Sequence, residues 1–327
     1  MSRKPLDSPN FSPGLDRADL APQIADWLLD SQLRQLSPAT LATRRDFLGK
    51  LAWFLENRKS SQIGPTELKS FLLYLSNGHL EEGGRFGNPT LTKPLQPISI
   101  HGYYRVLRGF FNWLEEEELI EANPMKRIKA PIARTETKQP ISDEHVTALL
   151  QAARNSTNKK RDEALLLLLL DTGLRASEVC SLKVEDVDLT TRSFKVCGKG
   201  NKIRVAYFGQ ATLKSLVGYL RKRRAEPHEP LFASRTGGAL TANSLRQLTE
   251  RLAIAAGVPP SQCGPHAFRR TFAVSILRAG ANLFSVQAML GHTDLQMTRR
   301  YVSLADADVE SQHRQFSPVD RMRSRSR

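Results

Sequence analysis

Four separated segments in the C-terminal half of this chain carry polar side chains whose types and spacing suit anion binding and proton transfer. In the first segment, Arg175 follows the turn residue Gly173 at the start of a predicted short helix. Backbone N–H groups at such a helix start also favour anions. Glu178 lies one helical turn later, so its carboxylate can hold the Arg175 guanidinium.

The second and third segments add three more polar groups. Lys199 lies between two glycines at the predicted tip of a β-hairpin. His266 and Arg269 are three residues apart, so both project from one face of a predicted helix.

The fourth segment contains His292 and Tyr301. Thr293 or Asp294 can cap a new helix after His292, and Tyr301 follows two turns into that helix. Taken singly, each of these polar residues also has an ordinary structural explanation. Only the whole set points to chemistry.

The N-terminal half must fold as helices. Apolar residues recur there at helical spacing in four stretches, at about 20–36, 38–59, 65–76 and 98–119. Trp27 and Leu33 lie on the apolar face of the first, and Ser37 with Pro38 gives the second a typical start. Residues 77–97 are rich in Gly, Pro and Asn, which predicts an extended loop.

The C-terminal half combines helices with one hairpin. Strands are predicted at 193–196 and 203–208, joined by a turn at 198–201. The predicted helices are 142–153, 161–170, 176–182, 210–224, 241–256, 266–279, 282–290 and 294–304. The fold class is therefore mainly α with a small β-hairpin.

Composition divides the chain into two domains. Residues 123–140 contain three prolines and little apolar pattern, which predicts a linker. We expect a flexible tail at 1–18, a helical domain at 19–122 and a second domain at 141–327. The basic tail 321–327 is predicted to be disordered.

Charge indicates the class of partner. The chain has 48 Lys and Arg against 33 Asp and Glu, a net charge of +15. Residues 131–327 carry 31 basic and 18 acidic side chains, whereas residues 1–130 carry 17 and 15. Such a surplus favours a polyanionic partner, most simply nucleic acid, although a basic protein without one remains an alternative.

Composition also excludes several classes. With 40% hydrophobic and 25% charged residues, the chain is neither largely disordered, nor collagen-like, nor a coiled-coil rod. The longest aliphatic run, residues 164–170, is too short to span a bilayer, and no secretion signal is recognisable. The three cysteines form no C-x-x-C pair, so we expect reduced thiols in a cytoplasmic protein and no zinc site.

In their order along the chain, the polar segments resemble the tyrosine recombinase (phage integrase) family. The stretches T-G-L-R-A-S-E, G-K-G-N-K-I-R and L-G-H-T-D resemble its Xer-type bacterial members, with Tyr301 nine residues after His292. One departure is Arg270, where the family often has a second histidine after its arginine. Another is loop 77–97, which is longer than in Xer-type proteins and leaves the DNA site and the partner open.

The resemblance implies a C-shaped clamp in which a helical core-binding domain and a mixed α/β catalytic domain hold DNA. It also implies strand cleavage and rejoining through a 3′-phosphotyrosyl bond, without metal, ATP or other cofactor. The implied catalytic residues are Arg175, Lys199, His266, Arg269, His292 and Tyr301. Tyr301 would be the nucleophile, His266 the general base and Lys199 the general acid, with Glu178 orienting Arg175. Both arginines and His292 would bind the phosphate.

The resemblance further implies a double-stranded recombination site bound by a homotetramer, or by a heterotetramer with a second recombinase. The segment Ala305 to Phe316 is predicted as a short helix that docks on a neighbouring protomer or packs in cis. Candidate DNA contacts on the N-terminal helices are Arg44, Arg45, Arg105 and Arg108, for which a solvated helix face is the alternative. No contact with a membrane is expected.

Two biological uses stay open at this point. One is integration or excision of a mobile element, which the length of the 77–97 loop favours. The other is Xer-type resolution of chromosome or plasmid dimers. Two different classes also remain: a sequence-specific DNA-binding protein that has lost catalysis, and a type IB topoisomerase.

Overall fold

The chain folds into two helical units that divide between residues 136 and 137. The computed structural model describes residues 15–81, 83–132, 138–198, 203–234, 236–292 and 294–305, together with Ser317 and Val319. Among these residues, no helix is long and apolar enough to cross a membrane. The prediction of a mainly α fold with little β structure is confirmed.

Where the structure describes it, the first unit is built from four α-helices and a two-stranded β-ribbon. Its elements are β1 (Leu15–Asp16), α1 (Arg17–Leu33), α2 (Pro38–Asn57), β2 (Gln62–Ile63), α3 (Pro65–Ser76) and α4 (Pro97–Glu116). β1 and β2 pair antiparallel, with Leu15 opposite Ile63. Aromatic side chains dominate the core between the helices; Phe71, Phe110 and Phe111 are fully buried there.

The start of this unit differs from the prediction. Residues 15–18 were expected in a flexible tail, but Leu15 and Asp16 form β1 and helix α1 begins at Arg17. The Asp16 carboxylate caps α1 by accepting the Ala18 N–H at 3.0 Å, a signal inside a stretch without apolar periodicity. The rest of the expected tail, residues 1–14, lies outside the described residues. The helix also ends three residues early, at Leu33, and this residue is 77% exposed instead of buried on the apolar face.

In its described residues, the predicted extended loop 77–97 is non-helical apart from one 3-10 turn at Arg85–Gly87, and α4 begins at Pro97. This loop nonetheless packs on the unit. His79 and Arg85 are buried, and the Arg85 guanidinium donates to the Lys93 carbonyl at 2.8 Å. The Tyr74 hydroxyl accepts the Phe86 N–H at 2.8 Å, which fastens the loop to α3.

The predicted linker is shorter than expected at both ends. Met125 and Ile128 are buried in the first core, and the Tyr104 hydroxyl donates to the Ile128 carbonyl at 3.0 Å. At the other end, the carbonyl of Gln139, which lies within the predicted linker, accepts a hydrogen bond from Arg270 Nε at 2.9 Å. The prolines and charges of this segment gave no sign of these contacts.

The second unit contains eight helices and one small sheet among its described residues. The elements are α5 (Asp143–Arg154), α6 (Lys159–Thr172), α7 (Ala176–Ser181), β3 (Val187–Asp188), β4 (Ser193–Cys197), β5 (Ile203–Tyr207), α8 (Gln210–Arg223), α9 (Ala242–Ala255), α10 (Pro265–Arg278), α11 (Leu283–Leu290) and α12 (Leu295–Ala305). The eight predicted helices and the two predicted strands are confirmed.

Helix α6 is the central element of this unit. Its side chains are buried nearly all round, as the run of leucines predicts, and it packs against α5, α8 and α10. The sheet has the order β3-β4-β5, all antiparallel, and the two-residue β3 was not predicted. Helices α10, α11 and α12 surround a separate apolar cluster that contains Phe272, Val286 and Leu290.

Candidate active site

Three arginines converge on the C-terminal end of helix α11. The last carbonyls of a helix have no partners within the helix and carry partial negative charge, so they attract cations. Arg204, Arg269 and Arg175 donate to three successive carbonyls, those of Met289 at 3.4 Å, Leu290 at 2.7 Å and Gly291 at 2.9 Å. Gly291 ends the helix with a φ of 63°, a conformation that favours glycine.

Arg175 is fixed by its own helix as well. Its backbone N–H donates to Glu178 Oε2 at 2.8 Å, and its Nη1 donates to Glu178 Oε1 at 2.7 Å. The contact expected from their spacing is therefore formed. The Arg175 side chain keeps 30% exposure, whereas that of Glu178 is 2% exposed. The guanidinium thus has a buried anchor and an open edge.

Arg269 is more deeply buried, on the second turn of α10. Besides its bond to Leu290, it donates from Nη1 to the Gly173 carbonyl at 2.7 Å. Burial, followed by the positive charge of Arg175, lowers the pKa of Arg269 to about 10. The guanidinium therefore remains protonated at neutral pH, and it is held in one orientation by two helix ends.

Gly173 ends α6 beside these arginines with a φ of 57°. A Cβ atom there would lie 2.4 Å from Phe272 Cδ1 and 3.0 Å from Leu290 Cδ2, both below a normal contact distance. The Gly173 carbonyl also accepts a hydrogen bond from Arg269 Nη1. Glycine is therefore needed both for the turn and for the close approach of α10 and α11.

We expect Gly173→Ala to lower the free energy of unfolding by roughly 2–4 kcal/mol, combining left-handed strain with overpacking. Urea denaturation of the full chain measures this. Gly257→Ala is the matched control, because Gly257 has a φ of 68° with no atom within 4 Å of its Cβ position. The control carries only the backbone cost, so equal losses in the two variants would refute the clash at Gly173.

His292 and Tyr301 complete the cluster. His292 is buried immediately after α11, and its Nδ1 forms a 2.9 Å hydrogen bond with the hydroxyl of Thr298. The imidazole and the Tyr301 ring lie 6.2 Å apart, with 23° between their planes. Tyr301 is half-buried on α12, against the apolar cluster that includes Phe272. The Asp294 carboxylate accepts the Gln296 N–H at 2.8 Å at the start of α12, whereas Thr293 lies outside the described residues.

Burial, followed by the charges of Arg269 and Arg175, lowers the pKa of His292 to about 4. The unfolded chain binds this proton near pH 6.5. Because the folded pKa is the lower one, stability from this group is present above about pH 6.5 and is lost as the pH falls towards 4. His292 is therefore neutral at physiological pH.

We expect the urea midpoint of wild type to fall more steeply between pH 7 and pH 5 than that of His292→Gln. His228→Gln is the control, because His228 is exposed, and it should follow wild type. The comparison removes the contribution of the carboxylates, which titrate in all three proteins. Equal slopes in wild type and His292→Gln would show that His292 is protonated as easily in the folded as in the unfolded chain.

The structure does not show the other predicted residues in contact with this cluster. His266 is exposed on the first turn of α10, one turn before Arg269, and its ring has no hydrogen bond among the described residues. Lys199 lies outside the described residues, as does the segment 306–316 that includes most of the predicted docking helix.

In the first unit, three of the four predicted DNA contacts are exposed: Arg45, Arg105 and Arg108. Arg44 is different, because its guanidinium lies 4.0 Å from the centre of the Trp27 ring and donates to the Ser31 hydroxyl. Packing within the helices of its own unit accounts for Arg44.

Two members of the site were not predicted. Arg204 lies on β5 and points to the same side of the strand as the buried Ala206. Because side chains alternate between the two faces of a strand, the sequence could have indicated a charged residue on the buried face. Thr298 is fully buried three residues before Tyr301, but a threonine within a helix gives little signal by itself. Arg270, the departure from the family pattern, donates to the Gln139 carbonyl at 2.9 Å and so anchors the start of the unit.

Residues 139–308 match the model of the phage integrase family. The tyrosine recombinase XerC of Bacillus subtilis is 34% identical over 234 residues, covering 69% of this chain and 77% of the relative. The tyrosine recombinase XerD of Yersinia pestis is 30% identical over 297 residues, covering 87% of this chain and 93% of the relative.

Solved structures resemble this fold as well. The Tn1549 transposon integrase, in complex with transposon right end DNA, has a TM-score of 0.70 at 20% identity, over 91% of this chain and 99% of that chain. The XerH site-specific recombinase, bound to a palindromic difH substrate, has a TM-score of 0.67 at 23% identity, over 85% of this chain and 80% of that chain. At such identities the likeness concerns the fold.

Proposed function

This chain belongs to the phage integrase family of tyrosine recombinases, and from that premise we propose that it recombines DNA at a specific site through a phosphotyrosyl bond to Tyr301. It is an enzyme of DNA strand cleavage and rejoining. The observation that carries the proposal is the convergence of Arg175, Arg269 and a neutral His292 beside Tyr301. These residues lie far apart in the sequence, and the ends of α6 and α11 bring them together.

Two fixed guanidiniums suit the charge of this reaction. Attack on a phosphodiester concentrates negative charge on the nonbridging oxygens, and preorganised cations there supply the largest stabilisation. Arg175 and Arg269 are already tied to helix carbonyls, so little reorganisation is needed when the phosphate arrives. Each planar guanidinium keeps further N–H groups for the phosphate.

His292 would act as a neutral hydrogen-bond donor. When the Thr298 hydroxyl donates to Nδ1, the ring proton lies on Nε2, which can then donate to a phosphate oxygen. The lowered pKa of His292 keeps the ring from adding a third full charge to this site.

The bond changes follow from these assignments. Tyr301 Oη attacks phosphorus and forms a 3′-phosphotyrosyl bond, while the bond from phosphorus to the 5′-oxygen breaks. His266 takes the phenol proton and Lys199 protonates the departing 5′-oxygen. A 5′-hydroxyl from the second duplex then attacks the phosphotyrosyl bond, which releases Tyr301 and reseals the strand. Because one diester replaces another, no energy source is required.

DNA binding would involve both units. We propose that the first unit is the core-binding domain and presents Arg45, Arg105 and Arg108 to the phosphate backbone, with the second unit holding the scissile phosphate. The reaction would take place on DNA in the cytoplasm.

The number of DNA strands that must be cleaved indicates how many protomers take part. Exchange between two duplexes breaks four strands, and each chain would supply one nucleophile, Tyr301. We therefore propose a tetramer on DNA, either of this chain alone or with a second recombinase. The segment after Tyr301 would connect neighbouring protomers.

A plasmid with two directly repeated copies of the native locus tests the function. Recombination predicts two smaller circles from one, and it predicts none from Tyr301→Phe. Relaxation of supercoils without new circles, on plasmids with or without the site, would instead identify a topoisomerase. Tight binding with no covalent adduct, even after addition of host extract, would identify a DNA-binding protein that has lost catalysis.

The biological use is tested on the same plasmid by exchanging the locus. Recombination at the ends of a neighbouring mobile element would assign integration or excision. Recombination at a chromosomal dimer-resolution site would assign Xer-type resolution. The length of the 77–97 loop favours the first.

A further inference from the structure

Arg204 makes more contacts to the site than any role assigned above explains. It lies on β5, and its Nη1 and Nη2 donate to Glu178 Oε1 at 3.1 Å and Oε2 at 3.0 Å. Its Nε lies 3.4 Å from the Met289 carbonyl at the end of α11. The Arg204 side chain is 16% exposed. Its guanidinium is thus turned towards Glu178 rather than towards solvent.

The Glu178 carboxylate is shared between two arginines. Oε1 accepts from both Arg175 and Arg204, and Oε2 accepts from Arg204 and from the Arg175 backbone N–H. Burial alone would raise the pKa of Glu178, but these donors and the charge of Arg204 outweigh it and keep the pKa below its usual range. Glu178 is therefore ionised.

The sharing of Glu178 sets the net charge of the ion-paired group that would face a phosphate. A buried ion pair of Arg175 with Glu178 alone has no net charge. Adding Arg204 gives the group of three a net charge of +1, so the carboxylate no longer cancels the guanidinium that would face the phosphate. In a site of low dielectric, this difference is large.

The backbone also makes room for Arg204. A Cβ atom at Gly291 would lie 2.8 Å from Arg204 Nε and 3.0 Å from its Cδ. Gly291 therefore allows the Arg204 side chain to pass across the end of α11. Through this contact β5 is fixed to the same helix end that holds Arg175 and Arg269.

We propose that Arg204 is a positioning residue for Arg175: by pairing with Glu178 and orienting it, Arg204 leaves the positive charge of the Arg175 guanidinium uncompensated and aimed at the scissile phosphate. The proposal rests on the proposed function, in which Arg175 binds that phosphate. Arg204 itself touches no reacting atom.

The first test is a double-mutant cycle on single-turnover DNA cleavage with Arg204→Gln, Glu178→Gln and the double variant. Removing Arg204 lets Glu178 cancel Arg175, so we expect Arg204→Gln to cleave on the order of tenfold to a hundredfold more slowly. The double variant also removes the carboxylate charge, and it should cleave faster than Arg204→Gln. A double variant that is as slow as Arg204→Gln, or slower, would overturn the proposal, because a purely structural role predicts no recovery.

Further variants separate charge from folding. Arg204→Lys keeps the charge and should cleave faster than Arg204→Gln. Lys195→Gln removes a charge from an exposed position of the same hairpin and should cleave like wild type. If Arg204→Gln unfolds at a lower temperature than wild type, its slow cleavage alone does not separate lost charge from lost stability. The cleavage rates of Arg204→Lys and of the double variant then decide, because both should exceed the rate of Arg204→Gln.

The second test changes the charge of the substrate. A methylphosphonate at the scissile position lacks one negative charge, so the defect of Arg204→Gln should shrink on it, as should that of Arg175→Ala. A substrate with sulfur at the 5′-bridging position has a leaving group that needs no proton, and on it the Arg204→Gln defect should persist. The reverse pattern would show that Arg204 acts on the leaving group. Cleavage by wild type, absent from Tyr301→Phe, tests the proposed function separately.

Discussion

Tyr301→Phe should form no covalent bond to DNA and yet bind its site as tightly as wild type. The substitution removes one oxygen atom and keeps the ring, which packs half-buried against the apolar cluster of α10, α11 and α12. Stability and DNA affinity should therefore change little, whereas the reaction loses its nucleophile altogether. Denaturing electrophoresis after incubation with DNA from the native locus measures the adduct, and mobility shift measures binding.

The control is Tyr207→Phe, which removes the hydroxyl of a tyrosine that is 67% exposed on β5. This variant should form adduct at the rate of wild type. Adduct formation by Tyr301→Phe at a comparable rate would refute the assignment of the nucleophile.

Arg269→Lys should slow strand cleavage by on the order of a hundredfold to a thousandfold or more, although it keeps the charge. Arg269 donates at once to the Gly173 and Leu290 carbonyls, and its planar fork leaves other N–H groups for the phosphate. A lysine ammonium is one point at the end of a flexible stem, so it cannot hold both carbonyls and the phosphate. Single-turnover cleavage measures the loss.

Arg246→Lys is the control for Arg269→Lys, because it makes the same change on the exposed face of α9. It should cleave within about twofold of wild type, since an exposed ion pair contributes little. A decrease of less than tenfold in the cleavage rate of a folded Arg269→Lys variant would show that positive charge alone suffices. The two hydrogen bonds to the Gly173 and Leu290 carbonyls would then be unimportant for cleavage.

The sequence predicted most of the second unit because its signals are local. Ser142 caps α5 as predicted, and the leucine run of α6 is buried nearly all round. The same logic failed at the start of α1, where Asp16 provides a cap without a periodic pattern before it. It also began the linker too early, because Met125 and Ile128 are buried in the first core by contacts with residues distant in the sequence.

The site shows a similar division. Motif residues such as Arg175 and Tyr301 could be named from the sequence, through their resemblance to a family. The end of α11 as the common anchor of three guanidiniums could not, because it depends on how β5, α7 and α10 pack around one helix end. The sharing of Glu178 between Arg175 and Arg204 likewise exists only in the folded chain.

The most direct test of the account is to identify the residue that carries DNA after cleavage. DNA from the native locus is cleaved, the adduct is trapped by denaturation, and nuclease and trypsin reduce it to a peptide that bears a nucleotide. We predict the nucleotide on Tyr301, in the peptide that runs from Tyr301 to Arg314. A nucleotide on any other residue, such as Tyr207, would contradict it.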